Sequence, residues 1–342
     1  MAFPILIGVY MELSFPQYYK DFRCIAAACP DSCCKEWTVD VDPEAAAMYR
    51  NLQGDLGDRL RSVLKDTEDG AVMEIENGRC PMWQQDGLCR IHAELGHDAL
   101  CKTCRDFPRL RHDYGDFIEL GLELSCPEAA RLIFGDDGNY LTETVCGGED
   151  PDYDSEVMDI LKSSRNEVLM LLAEDHFSLP EALAILLLRA HDIQEQIDGG
   201  QGLPFMQGAL LNEATEYADI GDLDGFLTFF RELEILTSRW QTLLNCTPEK
   251  IKWDNKLQHF ARYLVRRYWL QAVSDFDLIC RAKFIVSSCL LVAALGGNPV
   301  QTAQLFSKEI ENDPDNVESI LDGAYTAPAL TDKNLLALLL SQ

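Results

Sequence analysis

Residues 24–37 read CIAAACPDSCCKEW. Four cysteines fall within eleven residues and two of them are adjacent, a thiol density that neither a helix face nor a strand face needs for packing. The stretch decides the fold because it divides the chain into a part held by what its side chains bind and a part held by apolar contact. Adjacent cysteines rarely bridge each other, since their Cα atoms lie about 3.8 Å apart and disulfides span about 4.4 to 6.8 Å. Cys33 and Cys34 are therefore expected to point at different things. Cys29-Pro30-Asp31-Ser32 predicts a helix start, with Pro in the first helical position. In such a turn Cys29 and Cys33 share one face beside free backbone N–H groups that favour thiolate. Cys34, turned by about 100°, then reaches a second ligand sphere or braces the first.

Nine of the thirteen cysteines lie in the first 126 residues: Cys24, Cys29, Cys33, Cys34, Cys80, Cys89, Cys101, Cys104 and Cys126. A chain of 342 residues, 47% of them hydrophobic, needs no staples to fold, and disulfide scaffolds are short secreted chains. Metal is the leading explanation. Cys101-x2-Cys104 is a spacing that grips zinc or iron. Cys80 and Cys89 flank an Asp86-Gly87 turn that brings them together, and Cys126-Pro127-Glu128 predicts another helix start. Four thiolates suit tetrahedral zinc or a [4Fe-4S] cluster. Spacing does not choose between them, because both C-x2-C-x2-C and C-x3-C-x2-C are absent, the latter interrupted at Glu36.

The rest of the chain reads as helix. Residues 1–134 form a cysteine-rich, loop-rich module, residues 135–156 an acidic, glycine-containing connector, and residues 157–342 an all-helical region. Helices are expected over residues 157–174, from the capping box at Ser178 and Glu181 to the glycines at 199–202, and over 222–244, 255–272, 277–295 and 300–310. No run alternates at period two. The fold class is therefore mainly α, with a metal-binding module packed on a helical region.

Charge and hydropathy limit the partners. The net charge of −28 leaves no basic stripe for phosphate, which disfavours nucleic acid, and suits solubility or a lysine-bearing partner. The opening MAFPILIGVYM has no basic flank and about ten apolar residues, too few for a span. Residues 284–295 read as a buried helix, so no membrane association is expected and the location is expected to be cytoplasmic, where thiols stay reduced. Within the module, His92 and His97 are candidate ligands or loop braces. Arg105 and Arg109 balance cluster charge, hold a carboxylate or form ion pairs. Trp37 caps the cluster or stacks on substrate. Tyr263, Arg266, Arg267, Tyr268 and Trp269 form a basic aromatic group on one helix, read as core packing with snorkelling arginines.

These residues carry a family resemblance. Pro16-Gln17-Tyr18-Tyr19, Phe22-Arg23-Cys24, Cys29-x3-Cys33-Cys34, Trp37, Cys80, Gly87-Leu88-Cys89-x-Ile91-His92, Gly96, Leu100-Cys101-x2-Cys104-x2-Phe107-Pro108-Arg109 and Ser125-Cys126-Pro127-Glu128 resemble the flagellin lysine-N-methylases. The N-terminal part also resembles a broader group of zinc- or iron-chelating proteins with a CxxxCC signature. The resemblance is specific over about residues 16–131; beyond it, Phe260-Ala261-Arg262-Tyr263 and Arg267-Tyr268 are the best points of contact. It implies an enzyme that binds an iron–sulfur cluster and moves a methyl group from S-adenosylmethionine to lysines of flagellin, with Trp37, Arg105 and Arg109 near the cofactors. No G-x-G-x-x-G follows a strand, which fits a donor whose amino and carboxylate groups sit on an open iron. Two other classes stand beside it: a zinc-stabilised protein-binding module without catalysis, and an iron–sulfur electron-transfer or assembly protein. No catalytic residue is assigned from the sequence.

Overall fold

The computed structural model describes residues 10–340, apart from residues 36, 69, 137, 218, 219 and 247–249. The first nine residues of the apolar opening lie outside the described ones. Helices dominate beyond residue 154, and local sequence accounts for them. Asp154 caps Ser155–Leu171 by accepting from the Glu156 and Val157 N–H groups. Glu181 accepts the Ser178 N–H at 2.7 Å, the returning arm of the capping box that opens Leu179–Ile197. Asp277 accepts the Cys280 N–H at 3.2 Å and opens Leu278–Leu295. Such caps satisfy N–H groups that have no partner inside the helix.

Two expected helices end early. The stretch 222–244 forms two helices, Leu223–Arg231 and Ser238–Leu244. Between them the backbone bonds elsewhere: Glu234 N–H donates to Asn316 at 2.9 Å and Leu236 N–H to Glu309 at 2.8 Å. The helix Pro299–Phe306 passes into a π-helical turn, Ser307–Glu311. Gln207–Tyr217, Pro314–Thr326 and Asp332–Leu340 are helices outside the expected ranges.

The sheets are a larger departure. A four-stranded sheet has the order β5-β6-β1-β7, built from β1 (Tyr10–Pro16), β5 (Arg109–Asp113), β6 (Phe117–Leu122) and β7 (Tyr140–Cys146). β1 runs parallel to β6, pairing Glu12 with Phe117, and antiparallel to β7, pairing Tyr10 with Cys146 and Pro16 with Tyr140. A second sheet of order β2-β4-β3 joins β2 (Val39–Val41), β4 (Gly70–Met73) and β3 (Leu64–Thr67). β7 lies inside the stretch read as a connector. The alternation was hidden because β5, RLRHD, and β7, YLTETVC, are edge strands, where charged and hydroxyl side chains replace the apolar repeat.

The helix expected at Cys29 is absent. Cys29 is extended, at φ −69° and ψ 123°, after a 3-10 turn at Ala26–Ala28. Asp31, the residue that would favour a first turn, is instead drawn to Lys35 at 2.8 Å, Lys308 at 3.3 Å and Gln304 at 3.0 Å. By contrast Cys126 does open Pro127–Ile133, with Pro127 in the first turn.

Two apolar cores result, and they divide the chain differently from its composition. The smaller gathers residues between Val39 and Cys101, including Tyr49, Leu60, Met73 and Met82, and buries Cys80 and Cys101. The larger joins the helical region to Phe22, Phe117, Leu122, Leu124, Ala129, Ala130 and Ile133, so the four-stranded sheet and Pro127–Ile133 belong to the helical body. At its centre, Leu278–Leu295 is long and apolar enough to cross a bilayer, with mean hydropathy 2.0, yet 89% of that window is buried inside the protein. A helix apolar on every face and packed on every face is a core helix.

Candidate functional site

Backbone pairing brings the cysteine segments together. Cys80 N–H donates to Cys34 O at 2.8 Å, which fixes the CxxxCC loop against the later segment. From there the chain turns at Asp86-Gly87: Gly87 N–H donates to Gln84 O at 2.9 Å, Leu88 N–H to the Asp86 carboxylate at 3.0 Å, and Trp83 pairs with Cys89. Gly87 has φ +83°, and a Cβ there would stand 3.2 Å from Ala27 Cα. Glycine is required for the turn and for the approach of the loop that bears Cys24 and Cys29. Cys101 then caps Lys102–Asp106, which carries Cys104 one turn on.

The thiols fall into two sets that meet at the adjacent pair. Cys24 and Cys126 lie within electrostatic reach of Cys33 and of Cys29. Cys34, Cys89 and Cys101 lie within reach of Cys80, and Cys101, Cys34 and Cys33 within reach of Cys104. Cys33 and Cys34 divide only part of their neighbours, since both reach Cys104 and the two thiols also hydrogen-bond to each other. A thiol–thiol hydrogen bond tolerates a longer and less directional approach than a disulfide, so adjacent residues can make one. The bond holds Cys33 protonated and favours ionisation of Cys34 against its burial, helped by Ser32 and Arg79. Cys101 and Cys104 repeat the arrangement, with Cys101 the readier to ionise. Burial pushes the Cys80 thiol up to about 12 and the Cys126 thiol to about 11.

All thirteen cysteines are free. Among the described residues no group of three or more Cys, His, Asp or Glu side chains stands at metal-binding geometry. The donor set is nevertheless of one soft chemistry, and in each of the pairs Cys33–Cys34 and Cys101–Cys104 one thiol is the readier to ionise, as thiophilic metals favour.

The other candidates take up simpler positions. The Trp37 indole N–H donates to Cys33 O, and its ring lies 5.9 Å from Phe107. Arg105 stands 3.6 Å from Asp106, and Arg109 lies 5.2 Å over the Phe22 ring. His92 and His97 meet edge to face at 6.0 Å. Tyr263, Tyr268 and Trp269 are buried. Arg267 donates to Tyr263 Oη at 2.6 Å and stands 3.4 Å from Glu311, which also accepts from Tyr268 at 2.9 Å.

Sequence reasoning missed Asp31, Gln304 and Lys308, which tie the cysteine loop to the helical body; Gln304 also donates to Ser125 O at 2.6 Å, next to Cys126. Burial alone would raise Asp31, but Lys35, Lys308 and Gln304 outweigh it and hold the carboxyl below its ordinary range. No spacing signal could reveal partners 273 residues apart.

Two cavities flank the four-stranded sheet. One, of about 60 Å³, is lined by Tyr18, His112, Tyr140, Arg262, Arg266 and Arg267 among others. The second is a cleft of about 810 Å³ lined by Asp113, Glu149, Asp150 and Asp152 with Tyr114 and Tyr153. His112 lines both. Burial, and then Arg267, push its imidazole below its usual value, so it is neutral near pH 7.

Over 128 residues, 35% of this chain, the sequence is 30% identical to the flagellar biosynthetic protein FliU of Salmonella muenchen, 76% of which is covered. It is also 30% identical over 128 residues to the lysine-N-methylases of Salmonella typhimurium and Salmonella choleraesuis. The match spans 32% of the length of each of those two. No family model matches the chain, and no solved structure does.

Proposed function

We propose, from the premise that this chain belongs to the flagellin lysine-N-methylase family, that it is a protein-lysine N-methyltransferase taking methyl from S-adenosylmethionine, with flagellin as acceptor. The likeness to the two lysine-N-methylases carries the reading of the activity, and the likeness to FliU, over three quarters of that protein, carries the flagellar acceptor. The acidic cleft supports it. A lysine ammonium is attracted to Glu149, Asp150 and Asp152, while Asp113 is already paired at 2.6 Å with Arg111 of the same lining, and the net charge of −28 steers lysine-rich surfaces toward the chain.

Transfer forms an N–C bond from the lysine lone pair to the methyl carbon and breaks the S–C bond, leaving that electron pair on sulfur as S-adenosylhomocysteine. The ammonium proton must leave first. Neutral His112 at the cleft lining can relay it to solvent once desolvation in the cleft has lowered the ammonium's own pKa, since burial leaves His112 a weaker base than a free imidazole.

The metal belongs to the same proposal. Cys34, Cys80, Cys89, Cys101 and Cys104 form the set best suited to hold a [4Fe-4S] cluster, with zinc the alternative occupant; Cys24, Cys29, Cys33 and Cys126 form the neighbouring set. A bound cluster would supply a rigid, electron-rich anchor that closes the cysteine loops.

The test incubates cluster-reconstituted protein with methyl-labelled donor and either flagellin or an unrelated lysine-rich protein. Label on flagellin alone is expected. No label from a cluster-replete preparation overturns the methylase reading, and equal label on both removes flagellin as the specific acceptor. Purified anaerobically, the protein should absorb broadly near 400 nm, and Cys34→Ala or Cys101→Ala should abolish the colour. Colourless protein with stoichiometric zinc would replace the cluster by zinc.

A further inference from the structure

The 60 Å³ cavity holds more positive charge than its own carboxylates neutralise. It lies between β5, β6, β7 and the helix Leu257–Tyr268, and three arginines line it: Arg262, Arg266 and Arg267. Two carboxylates line it as well, Glu119 and Asp136. Glu119 is already held by Arg165 through two bonds of 2.6 and 2.7 Å, and Arg267 is matched by Glu311. That leaves two guanidinium groups facing one carboxylate, Asp136.

Neither guanidinium makes a hydrogen bond or ion pair among the described residues. Arg266 lies 3.9 Å over the Tyr140 ring and is half-buried. Arg262 is packed against the backbone of Gly138, where a side chain would collide with it. His112 Nε2, on the same wall, is buried without a hydrogen-bond partner. Burial depresses the Arg266 pKa, with Arg165 and Arg262 adding to it, and the opposing pull of Tyr140 and Glu119 restores it only in part.

Half-buried cations without ion-pair partners among the described residues are unfavourable and suit a site that receives an anionic ligand. A guanidinium fixed on an aromatic ring presents its donors in the fork that matches a carboxylate. A site of about 60 Å³ has room for several waters at about 10–15 Å³ each, and hence for one carboxylate group with its first carbon, not for a whole nucleoside.

We propose that Arg262 and Arg266 bind the carboxylate of a small-molecule ligand in this cavity, and that the ligand is the methyl donor, held by its α-carboxylate. The identity of the ligand rests on the methylase reading; the presence of a carboxylate site does not. The assignment places that carboxylate on arginine, not on an open iron as the sequence suggested. His112, which lines both cavities, then stands between the donor's anchor and the acidic cleft.

The experiment is calorimetric titration of the full chain with three probes: S-adenosylhomocysteine, 5′-methylthioadenosine, which lacks the amino-acid moiety, and free L-methionine. Arg266→Gln should weaken S-adenosylhomocysteine by about tenfold or more, the contribution of a charged hydrogen bond, and leave 5′-methylthioadenosine unchanged. Because Arg266 anchors no other described residue by hydrogen bond or ion pair, the variant should melt near the wild type; Arg262→Gln serves as the second variant. Equal affinity of wild type and both variants for S-adenosylhomocysteine overturns the proposal, as does a wild type that binds neither S-adenosylhomocysteine nor methionine. Arginine-dependent binding of methionine without binding of S-adenosylhomocysteine upholds the carboxylate site and overturns the donor assignment.

Discussion

The two cores differ in what their members can do besides pack. The larger is built mainly of apolar side chains around the helix Leu278–Leu295, and the polar groups it buries, such as Lys283 on the Ala324 carbonyl and Arg281 on Asp275, are tied to fixed protein partners. The smaller counts Cys80 and Cys101 among its buried members and packs against Cys34, Cys89 and Cys104. A core whose walls are ligands has a second state open to it, in which the same side chains turn from packing to coordination. The comparison teaches that the helical body supplies a fixed frame and the cysteine region an adjustable one, joined by a few polar ties.

The largest effect should come from the frame. Phe284 is fully buried beside Tyr268, with ring centroids 4.6 Å apart. Phe284→Ala should cost about 3–5 kcal/mol of unfolding free energy, measured by urea denaturation followed by circular dichroism. A loss below about 1 kcal/mol would show that the helical core is not the rigid partner in this comparison.

An intermediate effect is expected at the tie. Asp31→Asn removes the negative charge and one of the two acceptor oxygens that Lys35, Lys308 and Gln304 share and should cost about 1–3 kcal/mol. Its pH dependence has a definite sign. The folded carboxyl titrates below the ordinary value of 3.8, so its contribution is complete above that value and is lost as pH falls through the lower folded one. The wild-type advantage over Asp31→Asn should therefore be flat near neutrality, begin to decline below about pH 4 and vanish only below the lowered folded value. An advantage that grows in acid would break the assignment of Asp31 as an ionised tie.

The smallest effect belongs to a helix end. Ser178→Ala removes one arm of the capping box and should lower stability by about 0.5–2 kcal/mol, with the melting temperature as readout. The cysteine region should be untouched, with its thiol alkylation rates unchanged. Faster alkylation of Cys80 in this variant would mean that the two cores unfold together.

Local chemistry made some of this architecture legible and long-range pairing hid the rest. Ser178-Leu179-Pro180-Glu181 and Cys126-Pro127 carry their helix starts within four residues, and both form. Cys29-Pro30-Asp31 carries the same local signal, yet Asp31 is claimed by Gln304 and Lys308, far along the chain, and the backbone stays extended. The thiols were visible as ligand chemistry, but their division at Cys33 and Cys34 was not, because it depends on which segments pair. Arg266 was visible as one of several cations on a helix. Its position over Tyr140 depends on β7, a strand whose exposed side chains gave no period-two signal.

The π-helical turn Ser307–Glu311 gives this protein an unusual sensitivity to chain length. Its side chains serve three different directions: Lys308 reaches Asp31 on the cysteine loop, Glu309 receives the Leu236 and Thr237 backbone and hydroxyl groups, and Glu311 receives Tyr263, Arg267 and Tyr268. A π turn is an α-helix carrying one extra residue, and each residue advances the helix by about 100°. Removing a single residue here would restore regular α-helix and rotate everything after it by that angle relative to Gln304, which holds the cysteine loop from the helix before the turn, so that Glu311 would lose its place in the arginine cluster. In descendants of this chain, substitutions in the turn are separable changes, whereas a one-codon deletion is a single event with several structural consequences.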